Sequence, residues 1–233
     1  MPGPITPITF GWDGVRAGFA RTLPVALGVA AYGLVYGVLA RQAGLSLWEG
    51  LGLSGLVFAG ASQFVALDLW VHPLPVSALI FTTLAVNLRH VLMGATLRPW
   101  FGELTPLQAY GSMFFMVDEG WALTLAELNS GGSRASFLLG AGLALYAAWV
   151  GATGLGMTAG ALLGDPARLG MDFAFTAMFL ALLAGMWRGS RDLLPWLAAG
   201  AVALVVEHAF PGKWHIVAGG LAGGLTGALR HGR

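Results

Sequence analysis

The 233-residue chain contains no cysteine and little charge. Without cysteine there is neither a disulfide framework nor a thiolate metal site. Only 10% of the residues are charged, where a soluble domain carries roughly 25%. With 57% hydrophobic residues and a mean hydropathy of +0.74, the composition points to an all-α, polytopic integral membrane protein. The formal net charge of +1 gives no surface for nucleic acid. The five histidines are too scattered to set metal-ligand spacing, so neither metal nor other cofactor is expected. A phosphate-binding GxxxxGK[ST] loop is also missing, which leaves an ion or substrate gradient as the energy source for any transport. The short tail 1–14 holds Pro2, Pro4 and Pro7 and lacks a basic stretch leading into an apolar core, so no secretory signal is expected.

What is present is a succession of apolar stretches. A crossing helix needs about 20 apolar residues, which places candidate spans at 18–40, 50–71, 75–97, 106–127, 136–163, 171–187, 193–209 and 214–229. This predicts seven or eight transmembrane helices, some of them broken, in a single transmembrane domain covering 1–233. With eight spans and both termini inside, Arg16, Arg21, Arg134, Arg188, Arg191, Arg230 and Arg233 face the cytoplasm. Arg41, Arg98, Arg168 and Lys213 then face out, in line with the positive-inside rule. Connections are short; the longest, from Glu127 to Arg134, carries Asn129-Ser130-Gly131-Gly132-Ser133 and reads as a flexible loop. Gly33 and Gly151, Ala59 and Ala177, and His90 and His208 recur at one spacing, a faint echo compatible with a two-fold internal repeat.

Polar groups inside these stretches are the candidates for chemistry. Burying an arginine at mid-membrane costs at least about 2.5–3.5 kcal/mol, so Arg89, within Asn87-Leu88-Arg89-His90, marks either a pathway or a bundle interior. Asn87 and His90 share a helical face, whereas Arg89 points about 200° round from Asn87. Arg89 suits a substrate carboxylate or a fixed bridge to Asp118, Glu119 or Asp172. His90, with its near-neutral titration, suits proton coupling or a satisfied core position. Gly60 and Gln63 share a face in Phe58-Ala59-Gly60-Ala61-Ser62-Gln63-Phe64, which sets exposed backbone beside an amide that both donates and accepts. Asp118-Glu119 calls for a wet cavity, a raised pKa, a cationic partner or a span end where both carboxylates are solvated, with Gly120, like Gly60, a candidate helix-break or packing position. Asp172, after Gly170, suits a helix cap. Seven tryptophans, Trp12, Trp48, Trp70, Trp100, Trp149, Trp196 and Trp214, are placed mostly at span ends. Gly33-x-x-x-Gly37, Gly156-x-x-x-Gly160-x-x-x-Gly164 and Gly219-x-x-x-Gly223-x-x-x-Gly227 fit tight helix packing.

Across nearly its full length the chain resembles the AzlC family of branched-chain amino-acid permeases. The resemblance is carried by Pro24, Tyr32-Gly33-Leu34-Val35-Tyr36-Gly37, Gly44-Leu45-Ser46, the run at 58–64, Asn87-Leu88-Arg89-His90, Asp118-Glu119, Trp149 and Asp172-Phe173-Ala174. Tyr32 stands where phenylalanine is frequent in the family. The resemblance implies a multi-pass protein of the bacterial inner membrane. It further implies export of valine, leucine, isoleucine and related neutral apolar amino acids alongside a small AzlD-type membrane subunit. The family gives no ligand residues to carry over, so Gln63, Asn87, Arg89, His90, Asp118 and Glu119 are substrate or coupling candidates on physical grounds alone. Other readings are a channel or a non-transporting assembly subunit. An intramembrane hydrolase fits less well: Asp118 and Glu119 diverge by about 100° on a helix, and Gly170-Met171-Asp172 lacks the Gly-x-Gly-Asp pattern of aspartyl proteases. No enzymatic activity is expected.

Overall fold

The computed structural model describes residues 7–160, 189–210 and 214–231, with the single positions 180, 184 and 187 between them. Among the described residues the chain is helical, and extended pairing is confined to a bridge between Thr9 and Arg134. They form two compact units, Met1–Leu67 with Asn87–Met171 and Asp68–Val86 with Asp172–Arg233.

In the first unit, α1 (Trp12–Gln42) and α7 (Phe137–Gly160) run side by side. Glycines let the two backbones touch. A methyl group at Gly18 would fall on the Phe137 carbonyl, at Gly37 on the Thr153 carbonyl, at Gly140 on the Val15 carbonyl and at Gly156 on the Leu34 carbonyl. These contacts advance together along both helices, from Gly14 beside Ser136 to Gly160 beside Val38 and Arg41, so α1 and α7 are parallel. In lipid, where apolar side chains gain nothing by leaving the solvent, such close approach is a main source of helix association.

Between them lie two helical hairpins and one long helix. The first hairpin is α2 (Leu47–Leu56) with α3 (Gly60–Asp68); then comes α4 (Val76–Phe101); the second hairpin is α5 (Pro106–Phe114) with α6 (Asp118–Asn129). Each hairpin opens with a capping box. Ser46 accepts from the Glu49 amide while Glu49 accepts from the Ser46 amide, and Thr105 and Gln108 repeat the arrangement. Hydrogen bonds from Ser46 hold the exposed Glu49 carboxyl below the usual glutamate range, so its help to the start of α2 is lost as pH falls through that lowered value. Gly44, at φ +88, supplies the left-handed turn from α1 into the first box.

The expected spans 50–71 and 106–127 are therefore not continuous crossings. α2 descends antiparallel to α7, with Gly50 on Met157 and Ser54 on Thr153. The chain breaks over residues 57–59, and Gln63 then bonds back to Ser54. In the second hairpin, Phe115 at the break packs on Gly142, and α6 returns past Leu145 and Ala141 at Gly120 to Glu127, which is paired with Arg134. Both hairpins turn near the middle of α7. They enter from opposite ends, because the C-terminal part of α4 runs antiparallel to α7: Met93, Leu97, Trp100 and Phe101 join Leu128, Ala135 and Leu138 in one buried cluster. α1, α4 and α7, of 31, 26 and 24 residues, are long and apolar enough to cross a membrane.

This topology corrects the charge assignment. Arg98 lies at the same end as Arg16, Arg21 and Arg134, opposite Arg41, and the positive-inside rule reads the crowded end as cytoplasmic. The 127–134 connection is not a loose loop. The Gly132 amide donates to the Glu127 carbonyl, the Thr9 amide donates to Ser133, and Glu127, 8% exposed, pairs with both Arg21 and Arg134.

In the second unit, α8 (Leu193–Ala209) and α9 (Trp214–His231) pack through the third glycine run, with Gly219 against Ala199 and Ala203 and Gly223 against Ala199 and Pro195. Phe81 and Trp214 meet with ring centroids 6.5 Å apart. The expected span 171–187, apart from its isolated positions, and Asp172, Ala177 and Gly164 lie outside the described residues. The 118-residue echo finds no support: Gly33 faces Trp149 and Ala152, whereas Gly151 has nothing within 4 Å.

The α1–α7 contact predicts that Gly37→Leu, whose Cβ would meet the Thr153 carbonyl and lie 2.8 Å from the Met157 amide nitrogen, prevents the helices from docking. A loss of about 3 kcal/mol or more is expected. Gly28→Leu, with nothing within 4 Å, should be nearly neutral. Thermal unfolding of the two detergent-solubilised variants, followed by size-exclusion, checks the contrast.

Candidate functional site

The site is built where the hairpin tips reach α4. The 58–64 run forms the first tip. Phe58 takes a positive φ of +42, a region that non-glycine residues rarely occupy and that is found preferentially at functional sites. Gly60 then starts α3 with the Trp149 ring directly over it, 3.0 Å from where a Cβ would sit. No larger residue fits there without moving the indole.

Gln63 anchors this tip. Its side chain is 2% exposed; it donates to Ser54 at 3.2 Å and accepts from the Trp149 indole at 3.2 Å, while Ser54 and Thr153 share a hydrogen bond at 3.0 Å. The amide thus ties α2, α3 and α7 together, and a buried polar group of this kind is stable because its partners are present. Tyr36 of α1 stacks on Trp149 with centroids 5.6 Å apart and meets Phe64 edge-on at 5.5 Å. Its hydroxyl is buried without a hydrogen-bond partner among the described residues. Trp149 is thus a mid-helix organiser and not one of the span-end tryptophans that the sequence suggested.

Asn87-Leu88-Arg89-His90 lies at the middle of α4 and reaches both tips. Asn87 donates to the Ser62 hydroxyl at 3.3 Å, and Ser62 donates to the Ala59 carbonyl at 2.9 Å, so one face of α4 is bonded to the first tip. Arg89, on the other face, pairs with Asp118 at 2.9 Å in the first turn of the second tip. The angular separation between Asn87 and Arg89 on a helix is what lets adjacent positions serve two different hairpins. His90 places Nδ1 3.2 Å from the Asn87 carbonyl oxygen and turns back on its own helix. Glu119 is half-buried beside Asp118.

Of the candidates, Gln63 and Asn87 converge on the first tip, and Arg89, Asp118 and Glu119 on the second. Gly120 is not a helix break. The break precedes Asp118, and Gly120 is a buried position of α6 packed against Leu145. Phe58 and Phe115, one from each break, flank the Tyr146 ring at centroid distances of 5.0 and 5.3 Å, and the Tyr146 hydroxyl donates to the Gly55 carbonyl. Ser54, Thr153, Tyr146 and Tyr36 carry no sequence signal for these roles. The helix that opens each hairpin does: Leu-Ser/Thr-x-x-Glu/Gln occurs at 45–49 and again at 104–108, each time marking a helix start at the edge of what hydropathy reads as one span.

Paired half-helices that end at mid-membrane present backbone and charge to a small polar solute, the arrangement found in secondary transporters. The class is an integral membrane protein with a transport role. Residues 24–163 match the family model described as AzlC protein, and the chain belongs to the AzlC family. It is 34% identical over 212 residues to an uncharacterized membrane protein of Archaeoglobus fulgidus, covering 90% of this chain and 92% of that one. It is 24% identical over 212 residues to the branched-chain amino acid transport protein AzlC of Bacillus subtilis, covering 91% and 83%. It is 28% identical over 224 residues to the inner membrane protein YgaZ of Escherichia coli, covering 91% and 89%. No solved structure matches the chain.

The Gln63 network predicts that Trp149→Phe, which keeps an aromatic ring but strands the buried Gln63 carbonyl, destabilises the protein by about 1–3 kcal/mol. Adding Gln63→Leu should recover part of the loss, because it removes the orphaned acceptor. Thermal unfolding of the two variants measures both steps.

Proposed function

We propose that this chain is the large subunit of a secondary transporter that exports valine, leucine, isoleucine and related neutral apolar amino acids across the bacterial inner membrane. In this reading it works with a small AzlD-type membrane subunit in a single transmembrane domain. The observation that carries the reading is the convergence of two oppositely inserted hairpin tips on Asn87 and Arg89. A helix whose mid-membrane polar groups hold two separate tips offers a closed state that opens to either side as one tip or the other lets go. The naming of the Bacillus subtilis relative as a branched-chain amino acid transport protein supports the substrate class. A few hydrogen-bonding groups in apolar surroundings suit a ligand with a polar head and an apolar side chain better than one with a charged side chain.

Flux into or out of proteoliposomes containing the chain, alone and with the small subunit, tests this reading. Leucine should move and lysine should not, the two-chain assembly should be the faster, and a proton gradient should change the rate if protons are the coupling ion. Equal movement of lysine and leucine would reject the substrate class. Full flux by the large chain alone would reject the need for the second subunit.

A further inference from the structure

The Arg89–Asp118 pair is out of keeping with its surroundings. Met93, Leu97 and Trp100, which continue the Arg89 face of α4 by steps of three and four, are buried, whereas the Arg89 and Asp118 side chains are 36% and 38% exposed. The pair is therefore open to its surroundings although it continues the packed side of the helix. At this depth charges are stable only against water, a partner or a ligand. The guanidinium is also not used up. It reaches Asp118 through Nη1, while its Nε–H, itself buried, has no partner among the described residues. A guanidinium offers donors in a planar fork that suits a carboxylate bidentately.

Resting on the transport reading above, we propose that Arg89 and Asp118 form the recognition site for the zwitterionic head of an amino acid, holding each other when the site is empty. On binding, the α-carboxylate takes the Nε and Nη donors of Arg89, and the α-ammonium takes the Asp118 carboxylate. One ion pair within the protein becomes two ion pairs with the ligand, and the net charge of the site does not change. A ligand with a carboxylate alone would strand Asp118, and one with an ammonium alone would strand Arg89. Either leaves a desolvated charge without a partner, so the site selects for both charged groups on one carbon. Because Arg89 is on α4 and Asp118 starts α6, exchange of the pair for ligand also loosens the hold of α4 on the second tip.

The test is competition against labelled L-leucine bound to the full chain, with its small subunit where the two purify together, in lipid nanodiscs. Leucine, leucinamide, which lacks the carboxylate, and 4-methylpentanoate, which lacks the ammonium, are the competitors. The proposal expects each single-charge analogue to compete about tenfold or more weakly than leucine. It expects Arg89→Gln and Asp118→Asn to lose leucine affinity by a similar factor. For variants that fail to fold, the exchange Arg89→Asp with Asp118→Arg restores an ion pair; a purely structural bridge would then bind leucine normally, whereas the proposed site, with its charges reversed relative to the side-chain pocket, would not. Analogues that compete as well as leucine on the wild type, or folded single variants with wild-type affinity, overturn the proposal while leaving the transport reading in place. A folded wild type that neither binds nor moves leucine overturns both.

Discussion

Direct backbone contact between α1 and α7 is the constraint on which the rest of the first unit depends. In a bilayer there is little to gain from hiding one leucine behind another, so two helices hold together chiefly through van der Waals contact at short range and through the few polar bonds that bridge them. Gly18 and Gly37 on one helix and Gly140 and Gly156 on the other bring carbonyl oxygens to where side chains would otherwise stand. An adjoining face of α7 carries the hairpins, through the side chains of Thr153, Trp149 and Tyr146 and the backbone at Gly142 in turn.

Breaking a helix inside a membrane exposes amide and carbonyl groups that lipid cannot satisfy, so irregular backbone is tolerated at that depth only where protein or water covers it. Here the first break is covered by protein. The Trp149 indole lies over Gly60, Ser62 caps back onto Ala59, and Gln63 is bonded on both sides. The second tip is held by charge, through Arg89 and Asp118, and by the packing of Phe115 against Gly142 and Tyr146. The two tips are consequently unlike: one is locked by a neutral amide network that is almost fully satisfied, the other by an ion pair open to its surroundings. If one of them gives way more easily in a transport cycle, the physical difference between a buried amide network and a part-exposed ion pair makes it the second.

The arginine-rich end of the first unit has its own fastening. Glu127 takes two guanidinium groups, Arg21 from α1 and Arg134 from the approach to α7, and the backbone pairing of Thr9 with Ser133 and the Ser136 bond to Gly11 tie the start of the chain to the same place. A glutamate that hydropathy leaves in a loop thus becomes the joint between the second hairpin and the α1–α7 pair. It also fixes where α6 ends.

Periodicity, composition and motif were enough to specify a helical membrane protein, its family, the polar cluster at 87–90 and the acids at 118–119, because cost in hydrocarbon depends on residue type alone and every misplaced polar group stands out against an apolar background. The glycine runs were legible as contact faces for a similar reason, since only small residues permit backbones to touch. Hydropathy averages over a window, however, and cannot tell a 20-residue crossing from two half-helices that enter and leave by the same face; the capping boxes at Ser46 and Thr105 mark where each hairpin starts, not the breaks at 57–59 and 115–117 that divide it. Which partner Arg89 takes, that Trp149 serves Gln63 and not the membrane surface, and that Arg98 shares an end with Arg21 were decided by the tertiary structure. Each depends on residues distant in the chain being brought to one depth, and helix direction and depth are set by packing, which no single segment encodes.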